Sequence, residues 1–221
     1  MTEAVHQTKA DRTQARILSC AISLFSERSI DQVSFVDIAT CAGLTSQALY
    51  RYYSGKQELY LYAVSQDIEV LQNAVLEQTA ELTLPHFTAE FWAAYSEQAK
   101  KHPLAQKGVS SRDPQILTLL TELPSSRKCF ESGRADLRIA QKIGLIRADI
   151  DVDVFSESLF YMSTKMLIPL IFEGKFAGEE WLSVERILTA SIISPVPDLT
   201  SAVAREQFEA GMREAALLQQ G

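Results

Sequence analysis

Apolar residues recur every three or four positions along most of this chain, which is the period of an amphipathic α-helix. Ile17, Ala21, Leu24 and Phe25 trace one such apolar face near the N-terminus. The alternation typical of a β-strand never lasts more than a few residues, and its best example, residues 150–154, is interpreted as a loop entering a helix. The pattern therefore predicts an all-α fold.

Capping residues, glycines and prolines divide this pattern into separate helices. Ser34 and Asp37 have capping-box spacing, and Gly43 follows closely enough to make the helix that they begin a short one. Thr45 is a suitable N-cap for the next helix. Helices are expected near residues 10–28, 34–42, 45–52, 56–82, 87–102, 113–122, 125–143, 152–173, 179–193 and 199–218.

The two short helices have the spacing of a helix-turn-helix. Their close crossing needs a small residue on the first helix, which Ala39 supplies, and a turn residue that tolerates a left-handed backbone, which Gly43 supplies. Leu49 is the large apolar residue that anchors the second helix. Other helical hairpins share this spacing, so the flanking residues decide the interpretation.

The flanking sequence resembles the N-terminal signature of the TetR family of transcriptional regulators. The resemblance covers about a fifth of the chain, RILSCAISLFSERSIDQVSFVDIATCAGLTSQALYRYYSGKQEL. Departures occur at Ser29, where the family usually has glycine, at Gly55, where it has a small polar residue, and at Gln57, where it has an acid. Matching positions are Arg16-Ile17-Leu18, Ala21, Leu24-Phe25, Asp37-Ile38-Ala39, Ala42-Gly43, Leu49-Tyr50, Tyr53, Lys56 and Leu59.

This resemblance implies an N-terminal helix-turn-helix domain of three helices and a larger helical domain for effector binding and dimerisation. We place these domains at residues 1–60 and 61–221. Residues 144–151 resemble the loop that joins two helices of the larger domain in many such proteins. The implied function is that of a homodimeric repressor, released from a near-palindromic DNA operator by a small-molecule effector. The sequence does not exclude an activator with the same DNA-binding domain.

The second helix of a helix-turn-helix lies in the major groove of DNA, with its N-terminal residues nearest the base edges. Thr45, Ser46, Gln47, Ala48 and Arg51 occupy that surface, although Arg51 could also be a solvated helix residue. Tyr50 resembles the family's phosphate-contacting tyrosine. Lys56 at the start of the fourth helix and Ser34 at the start of the second are further candidate phosphate contacts. Tyr53 is expected to pack inside the small domain, whereas Tyr52 is ambiguous.

Aromatic and sulfur-containing side chains on the later helices are candidates for an effector pocket. For each of them, packing in the hydrophobic core is the competing interpretation. Trp92 and Tyr95 are favoured because each combines an apolar ring with a polar tip. The apolar run from Met166 to Phe172 indicates core or a dimer interface, with a kink at Pro169. The candidates are Trp92, Tyr95, Phe130, Phe155, Tyr161, Met162 and Met166, with Phe91 nearby.

Charge neither supports nor excludes DNA binding. The formal net charge is −7, but residues 1–60 are neutral, so the acidic excess lies in the rest of the chain. A few well-placed donors and cations on one face suffice for phosphate contact. The composition is otherwise typical of a globular protein, and the start of the chain is polar. These features predict a cytoplasmic protein without a membrane span.

Cys20, Cys41 and Cys129 have no metal-ligand spacing and occupy positions where a small apolar residue fits. We therefore expect buried thiols, with a redox sensor as the alternative. The three histidines do not pair with cysteines or carboxylates at ligand spacing, so neither a metal nor a cofactor is expected.

Two other classes of protein compete with a DNA-binding regulator. An enzyme is disfavoured because the chain lacks nucleophile-elbow, metalloprotease, CxxC and phosphate-loop motifs. A helical protein-interaction adaptor that has lost DNA binding is the closer alternative. The presence of Tyr50, Arg51 and Lys56 argues against it.

Overall fold

The computed structural model describes residues 8–87 and 89–174, together with positions 206, 209, 210, 213 and 217. Every regular element in this described part is helical, which confirms the predicted fold class. Short 3-10 turns lie at Ile30–Gln32 and Pro85–Phe87. The helices are α1 Lys9–Glu27, α2 Phe35–Cys41, α3 Ser46–Leu49, α4 Lys56–Gln78, α5 Ala89–Lys101, α6 Pro103–Ser110, α7 Pro114–Glu122, α8 Pro124–Lys142, α9 Val152–Met162 and α10 Ile168–Phe172.

Helix α4 is the element around which the rest of the chain packs. It has 23 residues and is therefore about 35 Å long. It packs against α1 as well as against α5, α6, α7 and α8. Its apolar side chains belong to one continuous core that also contains residues of α1, α2 and α3. The buried apolar residues of α4 are Leu59, Ala63, Val64, Ile68, Leu71 and Val75.

Three prolines begin helices in the body of the protein. Pro103, Pro114 and Pro124 stand at the first positions of α6, α7 and α8, where the missing N–H has no intrahelical partner to lose. The helix expected near residues 87–102 ends just before Pro103, and no helix was expected between residues 103 and 112. The sequence pattern therefore did not predict α6, which begins immediately after His102.

Several predicted helix boundaries were wrong by one or more residues. Helix α3 ends at Leu49, whereas it was expected to reach residue 52. Helix α4 ends at Gln78, whereas it was expected to reach residue 82. The single helix expected over residues 152–173 is interrupted by a π-helical turn at Ser163–Leu167. Pro169 lies just beyond that turn, and a proline with no N–H to donate is a recognised cause of such an interruption.

The cysteine prediction was wrong for two of the three residues. Cys20 in α1 is half-buried, Cys41 at the end of α2 is exposed, and the two form a disulfide with their Cα atoms 5.9 Å apart. Cys129 in α8 is a free, partly buried thiol. Its burial, together with the charge of Glu69, raises the pKa of the thiol to about 12.

The predicted helix at residues 179–193 lies outside the described residues. The apolar residues of the helix predicted near residues 199–218 also lie outside the described residues; they are Phe208, Met212, Ala215 and Leu218. Within residues 199–218 the structure describes five positions, and all five are helical and exposed.

Candidate nucleic-acid interface

The turn between α2 and α3 closes through the backbone hydrogen bonds of a Schellman motif. Gly43 has a φ of +62°, and its N–H donates to the carbonyl of Thr40 at 3.0 Å. The N–H of Leu44 donates to the carbonyl of Ala39 at 2.8 Å. Ala39 and Leu49 are both fully buried where the helices meet. The roles predicted for Ala39, Gly43 and Leu49 are therefore confirmed.

Side-chain caps fix the start of each of these short helices. The N–H of Asp37 donates to the Ser34 hydroxyl at 3.1 Å, and the N–H of Ser34 donates to the Asp37 carboxylate at 2.9 Å, which confirms the predicted capping box. The backbone and hydroxyl hydrogen bonds of Ser34 lower the pKa of Asp37. Thr45 accepts a hydrogen bond from the N–H of Ala48 at 3.2 Å and so caps α3.

The candidate base-contacting side chains form the outer face of α3. Thr45, Gln47 and Arg51 are exposed, while Ser46 and Ala48 are half-buried. Leu49, on the opposite face of the same helix, is buried. This division leaves the polar side of α3 open to a partner and buries its anchor in the core.

Tyr50 lies beside this face with its side chain largely in solvent. It is 58% exposed, and its ring packs against Phe35 at the start of α2 with the ring centroids 4.7 Å apart. Tyr53 is buried, as predicted, and burial raises the pKa of its hydroxyl. Tyr52, which the sequence left ambiguous, is half-buried against the core.

Lys56 begins α4 and links it to the 3-10 turn before α2. Its Nζ donates to the carbonyl of Ile30 at 2.6 Å. An ammonium group has three donors, so this bond leaves two for another acceptor. Glu58 accepts hydrogen bonds from the N–H and hydroxyl of Ser54 at the same helix start, and both bonds lower the pKa of its carboxyl. Ser34, the remaining candidate phosphate contact, is exposed.

The candidate effector residues differ in exposure. Tyr95 and Phe130 are buried, and Trp92, Phe155 and Met162 are half-buried. In contrast, Tyr161 is 48% exposed and Met166 is 61% exposed. Phe91 is buried between His86 and Trp92. Phe155 packs on a small cluster separate from the main core.

A buried polar network surrounds the Tyr95 hydroxyl, and the sequence pattern did not predict it. The amide of Gln72 in α4 donates to the Tyr95 hydroxyl at 3.1 Å, and its carbonyl oxygen accepts from Ser125 at 2.5 Å and Ser126 at 2.9 Å. Burial raises the pKa of Tyr95. The available signal was a glutamine with an apolar residue about one turn away on each side along α4, Ile68 and Val75.

Two histidine–aspartate pairs were also missed, because their members lie far apart in sequence. The Asp67 carboxylate in α4 faces Nδ1 of His102 at 2.7 Å and accepts from the N–H of Ala105 at 2.8 Å, which ties α4 to the start of α6. Nδ1 of His86 lies 2.9 Å from the Asp136 carboxylate of α8. Within the described residues, no group of three or more metal-ligating side chains occurs.

An open groove of about 570 Å³ runs between α4 and α7. None of the seven candidate effector residues lines it. Its walls are Leu61, Tyr62, Ser65, Pro114, Gln115, Thr118 and Leu119.

In the part of the chain that the structure covers, no helix is both long enough and apolar enough to cross a membrane.

A helix-turn-helix with a polar outer face, set on a helical body, is the arrangement typical of DNA-binding transcriptional regulators. Comparison with known proteins agrees with this class. Residues 17–63 match the family model described as bacterial regulatory proteins, tetR family. The HTH-type transcriptional regulator UidR of Escherichia coli strain K12 is 26% identical over 195 residues, covering 84% of this chain and 97% of UidR. The N-terminal segment of the chain therefore matches the TetR family, and the similarity to UidR over most of the chain supports a TetR-family transcriptional regulator.

Solved structures show the same fold at low sequence identity. A TetR-family transcriptional regulator from Streptomyces coelicolor superposes with a TM-score of 0.53 at 15% identity, covering 91% of each chain. RolR, in complex with its ligand resorcinol, superposes with a TM-score of 0.52 at 20% identity, covering 74% of this chain and 85% of RolR.

Proposed function

We propose that this protein is a homodimeric repressor that binds a near-palindromic operator through α3 and leaves it when a small molecule binds the body. The observation that carries the proposal is the exposed polar face of α3 opposite the buried Leu49. In this proposal residues 1–60 form the DNA-binding head and residues 61–221 the effector-binding and dimerisation body. Selecting bound sequences from random DNA with the purified protein tests the proposal. A homodimer of this kind should enrich a single sequence whose two halves form a near-palindrome.

Each side chain on this face has a chemistry that suits a particular part of DNA. The amide of Gln47 can pair with adenine, the Arg51 guanidinium with guanine or phosphate, and Ala48 can touch a thymine methyl. Thr45 and Ser46 lie at the N-terminal end of α3, which approaches the base edges most closely.

The remaining candidates surround this face and suit the phosphate backbone. The Ser34 hydroxyl already accepts a hydrogen bond from Asp37 and can still donate one to a phosphate oxygen. Tyr50 is exposed and carries a hydroxyl. The Lys56 ammonium has two N–H donors that are not bonded to the carbonyl of Ile30. Such contacts position the protein on DNA without reading its sequence.

Alanine at Gln47 and alanine at Lys56 should weaken DNA binding in different ways. Gln47→Ala should relax preference at one base pair per half-site, at a cost of about 1–3 kcal/mol on the preferred sequence. Lys56→Ala should weaken binding to all sequences alike and flatten the salt dependence, with a slope smaller by about 1 for each lost phosphate contact. Fluorescence anisotropy on a panel of duplexes at several salt concentrations measures both effects. Equal loss on every duplex from both variants would contradict this division of roles.

A homodimer is proposed because one short recognition helix reads too few base pairs for a unique site. Exposed apolar side chains on α9 and on the π-helical turn that follows it support a partner surface there. They are Val154 and Tyr161 of α9 and Met166 of the π-helical turn. Light scattering on the purified protein gives the molar mass, and a monomer at micromolar concentration would contradict the proposal.

Effector control is supported by the way the body is built. The buried Gln72 network joins α4 to α5 and α8 beside the rings of Trp92 and Phe91, so polar groups and aromatic surface lie together. Trp92, Tyr95, Phe130, Phe155, Tyr161, Met162 and Met166 remain the proposed effector contacts. The fold shared with resorcinol-bound RolR is compatible with a small-molecule site. Because α4 runs from the head into this region, a ligand that shifts α4 also shifts the head.

Lys107 provides a second link between body and head. From α6, its Nζ donates to the carbonyls of Phe25 at 3.3 Å and of Ser26, at the C-terminal end of α1. No basic residue of α1 itself lies in its last turn, so Lys107 supplies the cation that a helix C-terminus favours. The adjacent Gln106 donates to the carbonyl of Phe172 at the end of α10 at 2.9 Å. Helix α6 therefore connects α10 to the head.

Lys107→Met should loosen the orientation of the head without unfolding the protein. Wild-type dimers should bind poorly when one base pair is inserted between the operator half-sites, because the insertion adds about 3.4 Å to their separation. The variant should bind the original operator roughly three- to tenfold more weakly, because more freedom is lost on binding. It should also be less sensitive to the insertion. Lys101→Met, an exposed lysine of α5, is the matched control. If inserting the base pair weakened binding by Lys107→Met as much as binding by wild type, this link would not orient the head.

A further inference from the structure

We infer that Cys20 and Cys41 form a reversible thiol–disulfide modification site, oxidised by a low-molecular-weight disulfide, that adjusts operator affinity. The bond joins the middle of α1 to the last residue of α2, the first helix of the helix-turn-helix. This inference rests on DNA binding by α3 and adds a form of regulation to it.

The position of the bond places it where it can affect the recognition helix. Cys41 is followed directly by Ala42 and Gly43, the turn that sets the angle between α2 and α3. Helices α2 and α3 have seven and four residues, which is too short for either to be stable alone. Their placement therefore depends on tertiary anchors. The disulfide is a covalent anchor, and it acts in addition to the apolar contacts of Ile38 and Leu49.

Exposure assigns different roles to the two sulfur atoms. Cys41 is exposed and open to a small thiol or disulfide, whereas Cys20 is half-buried against the core. In oxidation, the Cys41 thiolate attacks the small disulfide and releases one thiolate. The Cys20 thiolate then attacks Sγ of Cys41 in the mixed disulfide and releases the second. Two protein thiols are oxidised and one small disulfide is reduced to two thiols, so atoms and electrons balance.

The chemistry of the compartment makes such a bond conditional. Proteins that work on chromosomal DNA share a space with glutathione- and thioredoxin-type reductants, which keep thiols reduced. An exposed disulfide there persists only when the pool of small disulfides rises. Cys129 does not take part, since its raised pKa of about 12 keeps it a protonated thiol.

The oxidised protein should bind operator roughly tenfold more tightly than the reduced protein, because a crosslink that holds the bound conformation lowers the ordering cost of binding. The difference stays moderate, since Ile38, Ala39 and Leu49 pack the head in both states. The oxidised form should also unfold at a temperature about 5–10 °C higher.

The experiment compares the full-length chain in buffers of reduced and oxidised glutathione. Alkylation and intact mass count free thiols, anisotropy on the selected operator gives Kd, and a thermal scan gives the unfolding midpoint. Wild type should show three free thiols when reduced and one when oxidised, with the tenfold change in Kd. Cys129→Ser should keep the change in Kd. Cys41→Ser should bind like reduced wild type in both buffers, and Cys20→Ser should agree with it.

Two results would overturn the inference. One is a wild-type protein that keeps three free thiols in excess oxidised glutathione. The other is an oxidised protein, with the bond confirmed by mass, whose Kd equals that of the reduced form. If neither form binds any DNA, the proposed function fails instead. The redox site is then judged by the mass and by the unfolding midpoint, and equal midpoints would overturn it.

Discussion

Leu49→Ala should reduce operator affinity by a factor of about 100 or more while most of the protein stays folded. Leu49 is fully buried and is the apolar anchor of α3. Removing its side chain costs about 2–5 kcal/mol in transfer free energy and cavity formation. A helix of four residues has no internal stability with which to offset that loss. Anisotropy on the selected operator measures the affinity, and far-UV circular dichroism reports the helices of the body.

Val70→Ala is the matched control for this variant. Val70 is 59% exposed on α4, so its truncation removes an apolar side chain without leaving a cavity. We expect its operator affinity to stay within about twofold of wild type, since exposed substitutions change stability by no more than about 0.5 kcal/mol. If Leu49→Ala bound operator as tightly as Val70→Ala, α3 would not be the element that reads DNA.

Asp67→Ala should lower the free energy of unfolding by about 3 kcal/mol and the unfolding midpoint by roughly 6–12 °C. The Asp67 carboxylate is buried and bonds both His102 and the N–H of Ala105 at the start of α6. Its removal leaves a buried N–H and an imidazole nitrogen without their acceptor, and each unmet donor is costly. Because α6 carries Lys107, the link to α1 should weaken as well. Thermal and denaturant unfolding measure the loss of stability. The loss of affinity caused by inserting one base pair between the operator half-sites measures the weaker link to α1.

Glu77→Ala is the control for this change, because Glu77 is an exposed carboxylate on the same helix. It should unfold within about 0.5 kcal/mol of wild type. Equal unfolding curves for Asp67→Ala and Glu77→Ala would mean that the buried carboxylate does not hold α6 against α4.

The helix-turn-helix could be predicted from sequence because its determinants are local. Ala39, Gly43 and Leu49 lie within eleven consecutive residues, and the capping pair Ser34 and Asp37 within four. Each acts through its own backbone conformation or through a neighbour one or two turns away. Short-range sequence patterns therefore contain the information that specifies these elements.

Features of the body could not be predicted because they depend on which helices meet. Gln72 and Ser125 are 53 residues apart in sequence, and Asp67 and His102 are 35 apart. The Cys20–Cys41 bond spans 21 residues and requires knowledge of how α2 lies on α1. Aromatic spacing on α9 could not distinguish an inward face from an outward one, and Tyr161 is accordingly exposed.

If α3 is the recognition helix, this protein binds one DNA sequence in strong preference to others. The most direct test is the ratio of its Kd for the selected near-palindromic duplex to its Kd for a scrambled duplex of equal length and composition, at physiological salt. We expect the selected duplex to be bound at least about 10³-fold more tightly, by two chains per duplex. Equal affinity for both duplexes would contradict this role of α3.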